Sequence, residues 1–459
     1  MDRHLTSRLA GGVLLCAATV AAPVAANELS SPVLTFGLDQ RFETSRNRGL
    51  TIPSEGTTTQ SVTSLSFGLV SETLVQRLSL TGGTAYRLGR APEENRLSVL
   101  DNSRLSLSYL REGVDSEFSV TASARRARQE FLGIEDFIDD EGLLELPEDF
   151  DDLTRFGRRT AYDVDTRLVL GREAAPFGVT FSLGATAIDY SDGAPQEDIR
   201  TVRGAIDTRF RLSPVLTTTL GARREERREG SDPTELRVTD AVTAGVIYAL
   251  SPRTQVAATL GYSRVDRTGS IQRREQGLIG GFDVTTDTPL GPVGLSLDTE
   301  VLEAGQRVSA VVRRSLDLPM GTLSGSLGAA RDPGGEVGAI GTLAYAQPLR
   351  TGNFTVNLSR IPVGNDDPRT RTALSIGLTH DINSVSGIAL RADHAETTGT
   401  ATRNPIERTT ISASYRHQLT PDWALNSGVS YRVRREGALG SARSPEIFVG
   451  LGRDWAWPL

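Results

Sequence analysis

The sequence predicts an all-β fold: a transmembrane, antiparallel, up-and-down β-barrel of about 22 strands, with short turns at one end and longer loops at the other. Three observations predict it. Apolar and polar residues alternate with period two along most of the chain. Short turn sequences recur at near-regular spacing. The chain closes on "SPEIFVGLGRDWAWPL", an alternating stretch that holds two of its three tryptophans.

The first element is a leader. Residues 1–26 carry Arg3 and Arg8, then small and apolar residues, then Val24-Ala25-Ala26. A charged start, an apolar middle and a small-residue site are the parts of a secretory signal, with cleavage expected after Ala26. The apolar run is shorter than the roughly 20 residues of a spanning helix. Leu15 before Cys16 is too bulky for a lipoprotein site. Residues 27–459 then form one barrel domain without cysteine, so neither disulfide nor thiol chemistry is expected.

Composition excludes more. Gly is 46 of 459 residues, hydrophobic residues are 38% and no long pattern of period 3.6 occurs. The net charge of −7 and 23% charged residues do not point to nucleic acid. All 50 basic residues are arginine. Without lysine there is no P-loop lysine, Schiff base or Ser-Lys dyad.

The strands follow in order. "YDVDTRLVLG" sets Tyr162, Val164, Leu168 and Leu170 against Asp163, Asp165 and Arg167. "PFGVTFSLGA" offers Phe177, Val179, Phe181 and Leu183; "RGAIDTRFRLS" sets Ile206, Phe210 and Leu212 against Asp207, Arg209 and Arg211. "FTVNLS" and "ALSIGLTH" behave alike. Short breaks lie at 71–73, 112–115, near 175, 212–214, 250–252, 289–292, 318–321, 348–352, 381–384 and 419–422. Longer charged segments such as "REERREGSDPTE" lie between them and read as the opposite, extracellular loops. Ten turns, a first strand near 33–43 and a last near 446–457 give 22 strands, with 20–24 as the range.

In the tail, Ile447, Val449, Leu451, Trp455 and Trp457 share one face, with Arg453 as an intruder; Phe448 intrudes on the polar face. Trp423 follows the turn at 419–422, so Trp423, Trp455 and Trp457 are expected at one membrane interface. This strand resembles the C-terminal strand of Gram-negative outer-membrane proteins, although Pro458-Leu459 follow the final aromatic. Across residues 27–459 the pattern resembles β-barrel porins of the porin-2-like kind, some of which are linked to exopolysaccharide export. The resemblance implies an outer-membrane location, lipid and lipopolysaccharide as surroundings, and recognition of the last strand by the barrel-assembly machinery.

Candidate functional residues follow from this frame. His380, His394 and His417 fall on the outward face without metal-ligand spacing, so no metal, cofactor or catalytic residue is expected. A lipid-facing Ser-His pair is the one enzymatic alternative. The third outer loop, 128–157, is long and acidic. Its carboxylates are Glu135, Asp136, Asp139, Asp140, Glu141, Glu145, Glu148, Asp149, Asp151 and Asp152, interleaved with apolar residues and lacking the spacing of a calcium loop. Such a segment needs somewhere to pack, which predicts a constriction inside the lumen whose charges favour cations; the alternative is an acidic flap on the surface. Arg167, Arg203, Arg209, Arg211, Arg391, Arg416 and Arg432 are expected to face the lumen. These inner arginines would pair with carboxylates or line a path for anions or acidic polysaccharide, whereas the clusters at the outer strand ends, such as "SARRARQ" and "GARREERRE", would meet lipopolysaccharide phosphates. The functional expectation is a passive channel for small or anionic solutes, with polysaccharide export and a structural or adhesive barrel as alternatives.

Overall fold

The computed structural model describes residues 32–458, apart from 93–96, 138–143, 154–156, 173–174, 231–233, 365 and 401–402. The expected leader, residues 1–26, lies outside the described residues. Each alternating run becomes a strand. The first seven are β1 (Val33–Arg46), β2 (Thr57–Glu72), β3 (Gln76–Arg90), β4 (Leu97–Glu112), β5 (Ser116–Arg128), β6 (Arg158–Leu170) and β7 (Phe177–Ser191). The next eight are β8 (Ile199–Ser213), β9 (Leu216–Glu229), β10 (Glu235–Ser251), β11 (Thr254–Thr268), β12 (Arg273–Thr288), β13 (Gly291–Leu302), β14 (Gly305–Leu318) and β15 (Gly321–Arg331). The last seven are β16 (Val337–Leu349), β17 (Gly352–Val363), β18 (Arg369–Asn383), β19 (Ser386–Thr397), β20 (Ile406–Gln418), β21 (Trp423–Glu436) and β22 (Gly440–Pro458).

Every strand pairs antiparallel with its chain neighbours, and β1 pairs with β22 from Val33↔Pro458 to Ser45↔Glu446. The sheet is therefore closed and has no open edge. Twenty-two strands about 4.8 Å apart and tilted about 40° make a circular barrel roughly 40–45 Å across at the backbone. All ten short turns expected from the sequence join strands at one end, here called the lower end, where β1 begins and β22 finishes.

The upper end differs from expectation in one respect. About half of the charged stretch 224–235 is strand: β9 runs to Glu229, β10 begins at Glu235, and Arg224 of β9 meets Asp240 of β10 at 3.0 Å. Charge does not end a strand that has risen past its apolar belt, because opposite charges on neighbouring strands pair across the ladder. The last strand likewise starts at Gly440, earlier than expected, since Arg432 opposes Ser444 and Glu436 opposes Gly440 in register. Only the connection at 129–157 is long.

Outward positions are apolar. Phe181 opposes Ile206, Phe177 packs on Phe210 at 4.9 Å, and Val242, Leu260 and Leu183 are exposed on the outer surface. Inward positions carry Ser, Thr, Gly, Asp and Arg. The two residues that break the last strand's alternation both have partners. Arg453 points outward and lies over Trp455 at 4.8 Å and Trp423 at 5.5 Å, with Asp422 at 3.3 Å. Phe448 points inward beneath Arg41, 4.3 Å from its ring centroid. Gly428 on β21 makes the room: a Cβ there would come within 2.8 Å of the Phe448 ring. The three tryptophans share the lower end, and Trp457 packs edge-on against Phe36 across the β1–β22 closure.

Candidate functional site

Residues 129–157 alternate apolar anchors with carboxylates, so the segment must bury one set and neutralise the other. It leaves the wall through a neck: the Gln129 amide donates to the Gly157 carbonyl at 3.0 Å. Gly157 has φ +81°, and a Cβ there would lie 2.5 Å from Ala194, so glycine is required. Three short 3-10 turns follow, Gln129–Phe131, Ile134–Phe137 and Glu148–Asp152. They sit inside the barrel, because every wall residue they touch occupies an inward position.

The apolar anchors come first. Phe131 lies under the guanidinium groups of Arg87 and Arg48, at 4.2 and 4.7 Å. Ile134, Phe150 and Leu153 form a buried cluster with Ala395 of β19, and Leu132, Phe137, Leu144 and Leu146 pack on it. Arg408 of β20 stacks 4.6 Å over Phe150. The carboxylates then pin the segment. Asp136 takes Arg125 of β5 at 2.6 Å. Asp149 accepts two hydrogen bonds from Arg159 of β6, at 2.6 and 2.9 Å, and one from the Tyr190 hydroxyl at 2.5 Å. Asp151 meets Arg371 and Arg369 of β18 at 3.0 and 3.5 Å and the Thr397 hydroxyl at 2.9 Å. Asp152 meets Arg403 at 3.3 Å, and Arg408 donates to the Leu153 carbonyl at 2.9 Å. Burial alone would raise the Asp149 pKa; the Arg159 and Tyr190 hydrogen bonds outweigh it and hold the carboxyl below the usual range.

The segment thus starts at β5–β6 and reaches β18–β20, crossing the lumen. Of the carboxylates expected to charge the constriction, Asp136, Asp149, Asp151 and Asp152 are each bonded to arginine; Asp149 and Asp151 are buried and hold the segment, while Asp152 is exposed and also borders the gap. Glu145 is exposed. Asp139, Asp140 and Glu141, and the side chains of Glu135 and Glu148, lie outside what the structure describes.

The seven expected arginines all sit at inward positions, with different surroundings. Arg203 pairs with Asp165 at 2.7 Å, Arg391 with Asp393 at 3.0 Å and Arg432 with Glu446 at 3.3 Å. Arg209 donates to the Gly171 carbonyl at 3.1 Å. Arg211 is exposed near the lower end. Arg167 lines one inner cavity, and Arg416 lines another with Asp39 and Asp454. Sequence reasoning missed the arginines that grip the segment: Arg48, Arg87, Arg159, Arg369, Arg371 and Arg408. The signal was present for the strand members, since Arg371 has the same parity as Ser375 and Arg159 as Asp163. A further hub, also missed, is Glu43 of β1, buried and bonded to Arg41, Arg48, Arg87 and Gln60.

The described residues of the segment leave part of the lumen open. A cavity of about 500 Å3 separates its Leu146 and Asp152 from wall residues that include Arg267, Glu303 and Arg307. A second, of about 650 Å3, is lined by Asp165, Arg167, Arg203, Glu225, Arg237 and Glu300. Both signs of charge therefore border the gap.

The outward histidines bond to hydroxyls. His380 Nδ1 lies 3.0 Å from Thr351, and His394 Nδ1 lies 3.0 Å from Thr409. His417 Nδ1 is 2.7 Å from the Ser386 hydroxyl, with the Tyr415 hydroxyl 3.2 Å from Ser386. No carboxylate is bonded to that pair, and no group of metal ligands forms among the described residues.

No family model and no curated protein matches the sequence, so the expected kinship with porin-2-like and polysaccharide-export proteins finds no support. The fold does have solved counterparts. The siderophore receptor PirA from Acinetobacter baumannii is 7% identical with a TM-score of 0.52, covering 92% of this chain and 80% of its own. A ferric enterobactin receptor, PfeA from Pseudomonas aeruginosa, gives 9% and 0.52 over 93% and 80%. The copper transporter OprC gives 11% and 0.51 over 95% and 82%. At such identities the likeness establishes the barrel fold alone.

Proposed function

We propose that this protein is an outer-membrane transport barrel through which small polar solutes, anions included, diffuse past the inner segment. The observation that carries the reading is the gap of about 500 Å3 between that segment and the arginine- and carboxylate-bearing wall. The outward apolar belt, the tryptophans gathered at the lower end and the leader-like residues 1–26 support an outer-membrane setting. The named functions of the structural neighbours, siderophore reception and copper transport, support transport as the class of activity. Selectivity would come from the charged rim of the gap, with the segment as the constriction. The reading includes no enzymatic step: among the described residues the Ser386–His417 pair has no bonded carboxylate to orient the imidazole.

A gated receptor is the second reading. It is favoured by the strand count, because 22-stranded outer-membrane transporters characteristically hold a plugged lumen. Conductance of the refolded protein in a planar bilayer separates the two. A passive channel gives open steps in the wild type and larger ones after deletion of Ile134 to Asp152. A gated barrel is silent until the deletion opens it. Silence in both proteins rules out transport by diffusion. Fractionation with N-terminal sequencing tests the location: an outer-membrane protein starting at Asn27 is expected.

A further inference from the structure

We infer that the lumen wall beside the barrel closure binds a neutral polyhydroxylated solute about one sugar ring in size. The inference adds a solute class to the transport reading and rests on that reading only for the solute's onward passage. A recess of about 280 Å3 lies where β1 meets β22, lined by Asp39, Ser66, Arg104, Arg416, Asn426 and Asp454. Its volume is near the lower end of the range for small-molecule sites.

The recess holds opposite charges apart. Register links Arg104, Gly83, Ser66, Gly37 and Asp454 in one row across five strands. Four steps of about 4.8 Å put the Arg104 and Asp454 backbones roughly 19 Å apart, too far to pair. Arg416 flanks the other side, three strands from Asp39. Elsewhere on the inner wall such charges close on each other: Arg203 and Asp165 to 2.7 Å, Arg391 and Asp393 to 3.0 Å. Here Arg104, Arg416 and Asp454 have no bonded partner among the described residues, and Asp39 is bonded to no arginine. Charges beside the recess are already used: Arg41 is bonded to Glu43 and Glu446, Arg87 to Asp101 and Arg125 to Asp136.

Glycine clears the floor. A Cβ at Gly37 would fall 2.9 Å from the Asp454 carboxylate. One at Gly452 would fall 3.2 Å from the Asp39 carboxylate and 3.6 Å from the Asn426 amide. A bulge in β4 aims Arg104 inward. Leu100 and Leu105 are both exposed on the outer face although an odd number of residues separates them, because the strand takes an extra residue at Asn102, whose φ is +47°. Without that residue Arg104 would face lipid. The result is two carboxylates that only accept, set between two guanidinium groups that only donate. A hydroxyl does both, so a ring of hydroxyls meets the centre and both flanks at once. A zwitterion brings one cation and one anion and leaves a flank unmet.

The test uses the full-length barrel refolded in an amine-oxide detergent, which carries no sugar headgroup. In saturation-transfer NMR, glucose protons are expected to receive saturation from the protein, and glycine at the same concentration to receive none. Asp454→Asn and Arg104→Gln should each weaken glucose binding about tenfold, the loss of one hydrogen bond to a charged group. The barrel should keep its heat-modifiable mobility on gels in both. Arg274→Gln, on the exposed outer surface, should leave binding unchanged. If Asp454→Asn fails to refold, Arg416→Gln serves in its place with the same expected loss. No transfer to glucose, or transfer that persists undiminished in the recess variants, would overturn the site. So would transfer to glycine as strong as to glucose, since the recess would then read charge rather than hydroxyls. Binding is measured without flux, so a barrel that holds glucose but never conducts sinks the transport reading and leaves the site standing.

Discussion

The lumen wall has two sides built from the same residue types and put to different use. On the side formed by β1, β3, β5–β7 and β18–β21, arginines are buried against the inner segment: the Arg159 and Asp149 side chains are 8% and 2% exposed. Where the wall opens onto the gap, from the lower part of β6 onward through β8, a pair can stay wet: Arg203 of β8 and Asp165 of β6 are 48% and 49% exposed at a similar separation. Distance alone would rank the two pairs together. Desolvation separates them, since an exposed pair is worth about 0–1 kcal/mol whereas breaking a buried one costs about 3–5 kcal/mol.

The largest effect expected from this contrast is at Asp151. Asp151→Ala leaves Arg369 and Arg371 buried together and should destabilise the docked segment by about 3–5 kcal/mol. Amide exchange across 144–153 should speed up accordingly, with β-sheet content unchanged. Phe150→Ala should come next, at about 3 kcal/mol, by emptying the cluster with Ile134, Leu153 and Ala395; protease nicking of the segment would report it. If either variant leaves the segment as protected as before, the docked side is no more cohesive than the open one.

Acid should loosen the docked segment. The Asp149 carboxyl is held below its ordinary range, so its contribution is fully present above the unfolded pKa of about 4 and is lost as pH falls through the lower folded value. Undocking is therefore expected below about pH 4, and Asp149→Asn should remove that acid-dependent part. An onset near neutrality would point to another group. The smallest effect belongs to the open side. Asp165→Asn should change stability by under about 1 kcal/mol. It should still move the reversal potential of the channel under a salt gradient toward anion preference, because it removes a negative charge from the border of the gap.

Much of this architecture was legible in the sequence. The ten turns and the face of each strand follow from period two, because a register error of one residue would turn every Phe181 or Ile206 inward. The need of residues 129–157 to be buried was legible too, from apolar residues set among carboxylates. Their partners were not. Arg371, Arg403 and Arg408 lie more than two hundred residues downstream of the groups they bind. Alternation says which way a side chain points but not at what height it meets a segment crossing the lumen. For the same reason the loop carboxylates were expected to charge the pore: nothing local to Asp149 or Asp151 announces a buried arginine opposite.

That sequence separation also sets a chronology. Asp151 and Arg371 are 220 residues apart, and Leu153 and Arg408 are 255 apart. The segment's berth draws on β18–β20 as well as on β5 and β6, so it does not exist until strands from both halves of the chain are in the wall. The anchors Phe150 and Leu153 must therefore wait, unburied, until both sets of strands are in place. Docking becomes the last event of assembly, and a seated segment certifies that the wall around it is complete. A barrel stalled before β18 would carry a loose, acidic and greasy tongue, which is the kind of exposed sequence that quality-control proteases cut first.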